Sequence, residues 1–81
     1  MKCFGQVIMT YRHGNKQWIT IWDLEEQRSF DVADREEPAL NIGQLVSFNW
    51  NKSVKNELHC ISEVKTIGRK QLPSHLKPLL K

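Results

Sequence analysis

Hydrophobic and polar positions alternate in short runs along this chain, and turn residues separate the runs. A period of two is what a strand with one buried face requires. Lys2 to Tyr11 is rich in β-branched, aromatic and apolar residues and carries Gly5 inside it, where a glycine often marks a bulge or a sharp bend. Arg12-His13-Gly14-Asn15 reads as a turn. From Lys16 to Asp23, Trp18, Thr20 and Trp22 point one way, while Gln17, Ile19 and Ile21 point the other. Leu24-Glu25-Glu26 makes the next connection, and Gln27 to Val32 completes a meander of three strands. Ala33 to Ile42 breaks the pattern: Asp34 is placed to cap one helical turn through Arg35, Glu36 and Glu37, which Pro38 limits. Gly43 opens a fourth strand, Gln44 to Asn51, with Val46, Phe48 and Trp50 on one face, the core being the favoured place for Trp50. After a polar loop, the fifth strand runs from Glu57 to Lys65.

Three strands, an irregular connection and two more strands predict an all-β fold, a small five-stranded antiparallel OB-type barrel with a short C-terminal tail. Closure into a barrel removes the edges that an open five-stranded sheet would expose. The expected interior is Val7, Ile19, Ile21, Val46, Phe48 and Val64. The barrel is assigned to residues 1–65 and the tail to residues 66–81. Gly68, Pro73 and Pro78 keep the tail from forming a long helix. Leu72, Leu76, Leu79 and Leu80 either dock on the barrel as a short turn or belong to a disordered terminus, and the pattern does not decide.

Composition narrows the function. Eighty-one residues make one domain. The two cysteines, Cys3 and Cys60, lie near opposite ends of the chain, and no secretory leader pattern precedes them. A reducing compartment with free thiols filling small apolar sites is therefore expected. No apolar run approaches the ~20 residues that span a bilayer, so the expectation is a soluble cytoplasmic protein with no membrane partner. The net charge of +3 is unevenly spread. Lys65 to Lys81 holds five basic residues and no acid, whereas Asp23 to Glu37 holds seven of the nine acids. A basic tail can neutralise phosphates. His13, His59 and His75 have no evident partners, and adjacent His59 and Cys60 alternate to opposite faces of a strand, away from any shared metal. No glycine-rich phosphate loop occurs. We therefore expect no enzyme, no catalytic residue, no metal site and no cofactor.

Several of these residues together resemble the cold-shock domain. That family opens with glycine, one residue and valine, then an aromatic-rich stretch, a lysine-glycine turn, and phenylalanine-isoleucine-threonine. Gly5, Val7, the turn at Gly14 and Trp18-Ile19-Thr20 follow that order without a gap. Leu40, Gly43, Gln44, Val46 and Phe48 fill the family's later pattern, and Val64 supplies its final core valine. The resemblance spans Lys2 to Lys65. It implies an OB-type barrel whose second and third strands carry two ribonucleoprotein motifs, with exposed aromatics that stack on bases of a single strand. The chain departs from both motifs. In Gly14-Asn15-Lys16-Gln17-Trp18-Ile19, Trp18 keeps one aromatic and Lys16 replaces another. In Phe30-Asp31-Val32-Ala33, only Phe30 survives, and Asp31 is added. Met9 and Thr10 stand where the family has a tryptophan and a phenylalanine on the first strand.

The candidate binding residues are thus Met9, Lys16, Trp18, Trp22, Phe30 and Lys52. Trp18 and Trp22 face outward if Ile19 and Ile21 fill the barrel, and exposed indoles suggest a contact surface. Trp22 is equally well covered by the tail or a loop. Phe30 is outward by family position, although a lone strand phenylalanine is usually core. Lys16, Lys52 and Lys55 are candidate phosphate contacts. Two stacking aromatics would supply a few kcal/mol at ~1–3 kcal/mol per base, and the acidic stretch opposes binding. The leading expectation is a single-stranded RNA- or DNA-binding module, weak and largely sequence-independent. The alternative is a protein-interaction or dimerisation module on a barrel that has lost nucleic-acid binding.

Overall fold

In the computed structural model, residues 1–36, 39–55 and 60–80 are described. Five strands form one antiparallel sheet: β1 (Lys2–His13), β2 (Lys16–Asp23), β3 (Arg28–Arg35), β4 (Leu45–Trp50) and β5 (Ile61–Thr66). Their order across the sheet is β3-β2-β1-β4-β5. The fold is all-β, as expected, in the form of a curled half-barrel: β3 and β5 are the two ends of the sheet and share no ladder among the described residues.

The curl is visible in the core. Phe30 of β3 meets Phe48 of β4 edge-on at 5.8 Å and Trp50 at 4.9 Å, although β2 and β1 separate those strands within the sheet. Val7, Ile19, Ile21, Val46 and Phe48 are buried inside, as alternation predicted, with Leu40, Cys3, Cys60 and Ile61 around them. Val64 and Trp50 are partly buried against this core. Gln17 shares the inner face of β2 and is buried. Its Nε2 donates to the Leu40 carbonyl at 2.7 Å, and its Oε1 accepts from the Leu40 N–H at 2.8 Å. The side chain thus completes both backbone hydrogen bonds that Leu40, outside any strand, would otherwise lack in the interior.

Among the described residues, three register shifts bend the sheet. Each adds one residue to one strand of a pair, which increases local twist. Ile8 is extra in β1, between the pairs Val7↔Ile21 and Met9↔Thr20. One residue of Ala33–Asp34 is extra in β3, with Asp34 at φ 53°. One residue of Glu63–Val64 is extra in β5, with Glu63 at φ 55°. The expected helical turn beginning at Asp34 does not form. Asp34 and Arg35 continue β3, because β2 pairs as far as Gln17↔Arg35 and the bulge absorbs the irregularity. Glu36 follows β3 without helical structure, while Glu37 and the limiting Pro38 lie outside the described residues, as do positions 57–59 of the expected fifth strand, which is seen from Ile61.

Turn chemistry fixes the connections. Gly14, at φ 64°, begins the two-residue loop closing His13 against Lys16. At the end of β2, Asp23 is fully buried, and its Oδ1 accepts from the N–H groups of Glu25 and Glu26 at 2.9 and 3.0 Å. An Asx turn of this kind replaces ladder hydrogen bonds where the chain reverses.

The tail is part of the fold. Two short 3-10 turns, Arg69–Gln71 and Ser74–Leu79, place Leu72 and Leu76 against Leu24 in a second buried cluster. Phe4, Trp22, Leu45, Ile67 and Leu80 pack around it. Phe4, Trp22 and Leu45 project from the outer face of β1, β2 and β4, so the tail covers one half of that face. No helix among the described residues is long and apolar enough to cross a membrane.

Candidate functional site

The other half of the outer face is uncovered. It is built by the far end of the β1–β2 hairpin, beyond the stretch of β1 that pairs with β4. The extra residue at Ile8 decides what projects there. Counting by twos from buried Val7 would put Met9 and Tyr11 inside the barrel. With Ile8 bulged, Thr10 instead pairs with buried Ile19, while Met9 pairs with Thr20 and Tyr11 with Trp18 on the outside. Met9 is 62% exposed, Tyr11 65% and Trp18 41%, large values for apolar side chains in mid-strand. Directly opposed strand residues sit ~5 Å apart at Cβ. Tyr11 and Trp18 therefore form one aromatic platform, and neither stacks on another ring among the described residues.

A shallow cleft of about 390 Å³ runs over this platform, lined by Met9, Tyr11, Trp18, Thr20 and Asp31. Thr20 Oγ1 donates to Asp31 Oδ1 at 2.8 Å, which fixes one carboxylate at the rim. Lys16 and His13, paired at the hairpin tip, border the other side with Asp34. The platform is thus apolar and aromatic in the middle, with one cation near the tip and two carboxylates along β3. Such a surface can stack planar groups.

The sequence-based candidates divide. Met9, Lys16 and Trp18 come together here. Phe30 does not: it is buried in the core against Phe48 and Trp50, with the Arg28 guanidinium 4.5 Å over its ring, so the outward placement implied by the resemblance is corrected. Burial of a lone phenylalanine satisfies the hydrophobic effect in a domain too small to spare one. Trp22 is outward but half-buried under the tail, and is removed from the exposed face for that reason. Lys52 is exposed at the opposite end of β1, next to Trp50, and does not join the platform. Tyr11 is the member that sequence reading missed, because the Ile8 bulge is invisible in an alternating pattern.

Cys3 and Cys60 are unbridged and buried. Burial, followed by the neighbouring Asp23 carboxylate, pushes the Cys3 thiol up from 9.0 to about 11. At neutral pH it is a protonated core residue, unlike a nucleophile. Among the described residues no group of three metal-ligating side chains comes together. His59 lies outside the described residues. Comparisons with family models, curated proteins and solved structures found no match, so function rests on the surface itself.

Proposed function

We propose that this chain is a single-stranded nucleic-acid-binding module of cold-shock type that grips its ligand weakly and with little sequence preference. The observation that carries this reading is the exposed Tyr11–Trp18 pair, set in register on the outer face of the β1–β2 hairpin with Met9 beside it. Bases stack on such platforms at ~1–3 kcal/mol each, regardless of identity, because every base has a π-face. Lys16 supplies a phosphate contact at the edge. The barrel form alone decides nothing about function, so the support comes from these residues.

Titration of the full chain with short single-stranded oligonucleotides, followed by tryptophan fluorescence at two salt concentrations, tests the proposal. Binding is expected at low salt and falls steeply as salt rises. Trp18→Ala should leave the barrel folded, since Ile19 and Ile21 hold that strand, and should remove ~1–3 kcal/mol of affinity. Lys16→Ala should flatten the salt slope by a little under ~1. The carboxylate of Asp31, pinned at the rim by Thr20, favours the second reading, a protein-interaction or dimerisation surface. That reading takes over if the wild type binds no oligonucleotide and Trp18→Ala instead changes the sedimentation coefficient or the capture of a protein partner.

A further inference from the structure

The opposite end of β1 carries an arrangement that the aromatic platform does not use. β4 ends on Trp50, whose half-buried ring is backed from the interior by Phe30 at 4.9 Å. Two cations reach that ring from different elements. The Arg28 guanidinium, at the start of β3, lies 5.3 Å from its centroid, and the Lys52 ammonium, just after β4, lies 4.8 Å from it. They approach it from different clefts: Lys52 lines one with Asn49, Asn51 and Ser62, and Arg28 lines another with Ser29, Phe30 and Asp31. Attraction to a ring at a site open to water contributes only ~0.5–1 kcal/mol per cation. Neither forms a hydrogen bond or an ion pair with another described residue. Beside the ring lies an open cleft of about 530 Å³, where Asn49, Asn51, Lys52, Ser53 and Ser62 present amides, hydroxyls and an ammonium, with no carboxylate in the lining.

We propose that this Arg28–Trp50–Lys52 corner binds phosphodiester groups of the strand whose bases stack on Tyr11 and Trp18, so that the ligand is held at both ends of β1. The proposal rests on the nucleic-acid reading above. A phosphodiester at each cation accepts charge-assisted hydrogen bonds from it. A strand must be long enough to reach both ends, in keeping with the ~4–16 nucleotides that an OB-type module covers.

Oligothymidylates of four and twelve nucleotides, titrated into the full chain over a range of salt, separate the two ends. In the Arg28→Gln/Lys52→Gln double variant, the twelve-mer should bind about tenfold more weakly, with its logarithmic salt slope reduced by ~1.4, the loss of two single-strand phosphate contacts. The four-mer should change less than about twofold, because the stacking platform does not depend on either cation. Arg28 also covers Phe30, so Lys52→Gln alone is the folding control: half the change in slope, with an unaltered melting curve. Equal losses for both lengths, or no loss for the twelve-mer, would overturn the proposal. If the wild type binds neither oligomer, the nucleic-acid reading fails, and the corner is then judged with inorganic tripolyphosphate. A saturable shift of the Trp50 indole N–H resonance, absent in the double variant, keeps a phosphate site at the corner; no shift removes it.

Discussion

Gly5 sits in β1 between Asp23 of β2 and Val46 of β4, and it is buried. A Cβ there would lie 2.5 Å from Ile21 Cγ2, 2.6 Å from the Trp22 carbonyl oxygen and 3.1 Å from Phe48 Cε1. The carbonyl belongs to the ladder and cannot rotate away. Gly5→Ala should therefore destabilise by ~3 kcal/mol, the upper part of the range for overpacking. The urea midpoint should fall with its slope unchanged, and an unchanged midpoint would mean that the strands separate freely. The alternating pattern singled out Gly5 as a bulge or bend; the bulge is at Ile8, and glycine is needed for close packing, which depends on residues far along the chain. Cys3 gives a second prediction at this scale. Its pKa rises from 9.0 to about 11 on folding, through burial first and the Asp23 carboxylate second. Below pH 9 the thiol is protonated in both states, and this contribution to stability is fully present. From about pH 9 to about pH 11 the unfolded chain releases a proton that the folded chain keeps, so stability falls across that window. Denaturant midpoints measured from pH 7 to 11 should drop more steeply for the wild type than for Cys3→Ala. Parallel curves would place the thiol in contact with water.

The elements were legible in so far as their side chains alternate. β2 has the bounds that alternation gave it, Lys16 to Asp23, and its inner residues Gln17, Ile19 and Ile21 are all buried. What alternation could not reveal are the three extra residues that curl the sheet, since a bulge is a relation between two strands. The Ile8 bulge hid Tyr11, and the bulge at Asp34 turned an expected helical cap into more of β3. Met9 was placed on the binding face by the family resemblance, whereas counting along the strand would have buried it. These bends carry backbone strain that substitution can read. Glu63 adopts φ 55° in the β5 bulge, and its side chain is exposed. The left-handed region costs an L-residue with a Cβ ~1–2 kcal/mol, part of which glycine returns through its greater freedom when unfolded. Glu63→Gly should thus stabilise the domain by up to ~1 kcal/mol, while Glu63→Ala should give no gain. Thermal melts of the two variants side by side check this. If glycine proves no better than alanine, the bulge is not strained at that position.

For the molecule as a whole, the question is what divides a covered outer face from an open one. The leucine spacing of the tail allowed either docking or disorder, and docking prevails because the sheet offers it a surface. Phe4, Trp22 and Leu45, left outward by strict alternation, together with Leu24 after β2, make an apolar patch that Leu72 and Leu76 bury. Residues 67–80 are therefore packed into the fold, and the tail is more than a carrier of charge. The basic groups at Arg69 and Lys70 remain exposed at its surface. Removing residues 67–81 would consequently be a poor test of phosphate attraction, because two changes occur at once. Each buried leucine contributes ~1.5–3 kcal/mol, and a domain of this size has little more than ~3–5 kcal/mol in total. The truncated chain should be largely unfolded, or should self-associate through the bared patch, and emission from Trp22 should shift to longer wavelength as its cover is lost. Leu76→Ala reads the same packing more gently, with an expected loss of ~2–5 kcal/mol. Arg69→Gln/Lys70→Gln keeps both leucines and isolates the charge: melting should be unaltered, and any change in oligonucleotide affinity should disappear at high salt. A truncated chain with the wild-type melting temperature and wild-type tryptophan emission would show that the tail rests on the barrel without supporting it, and the division of the outer face would then need another cause.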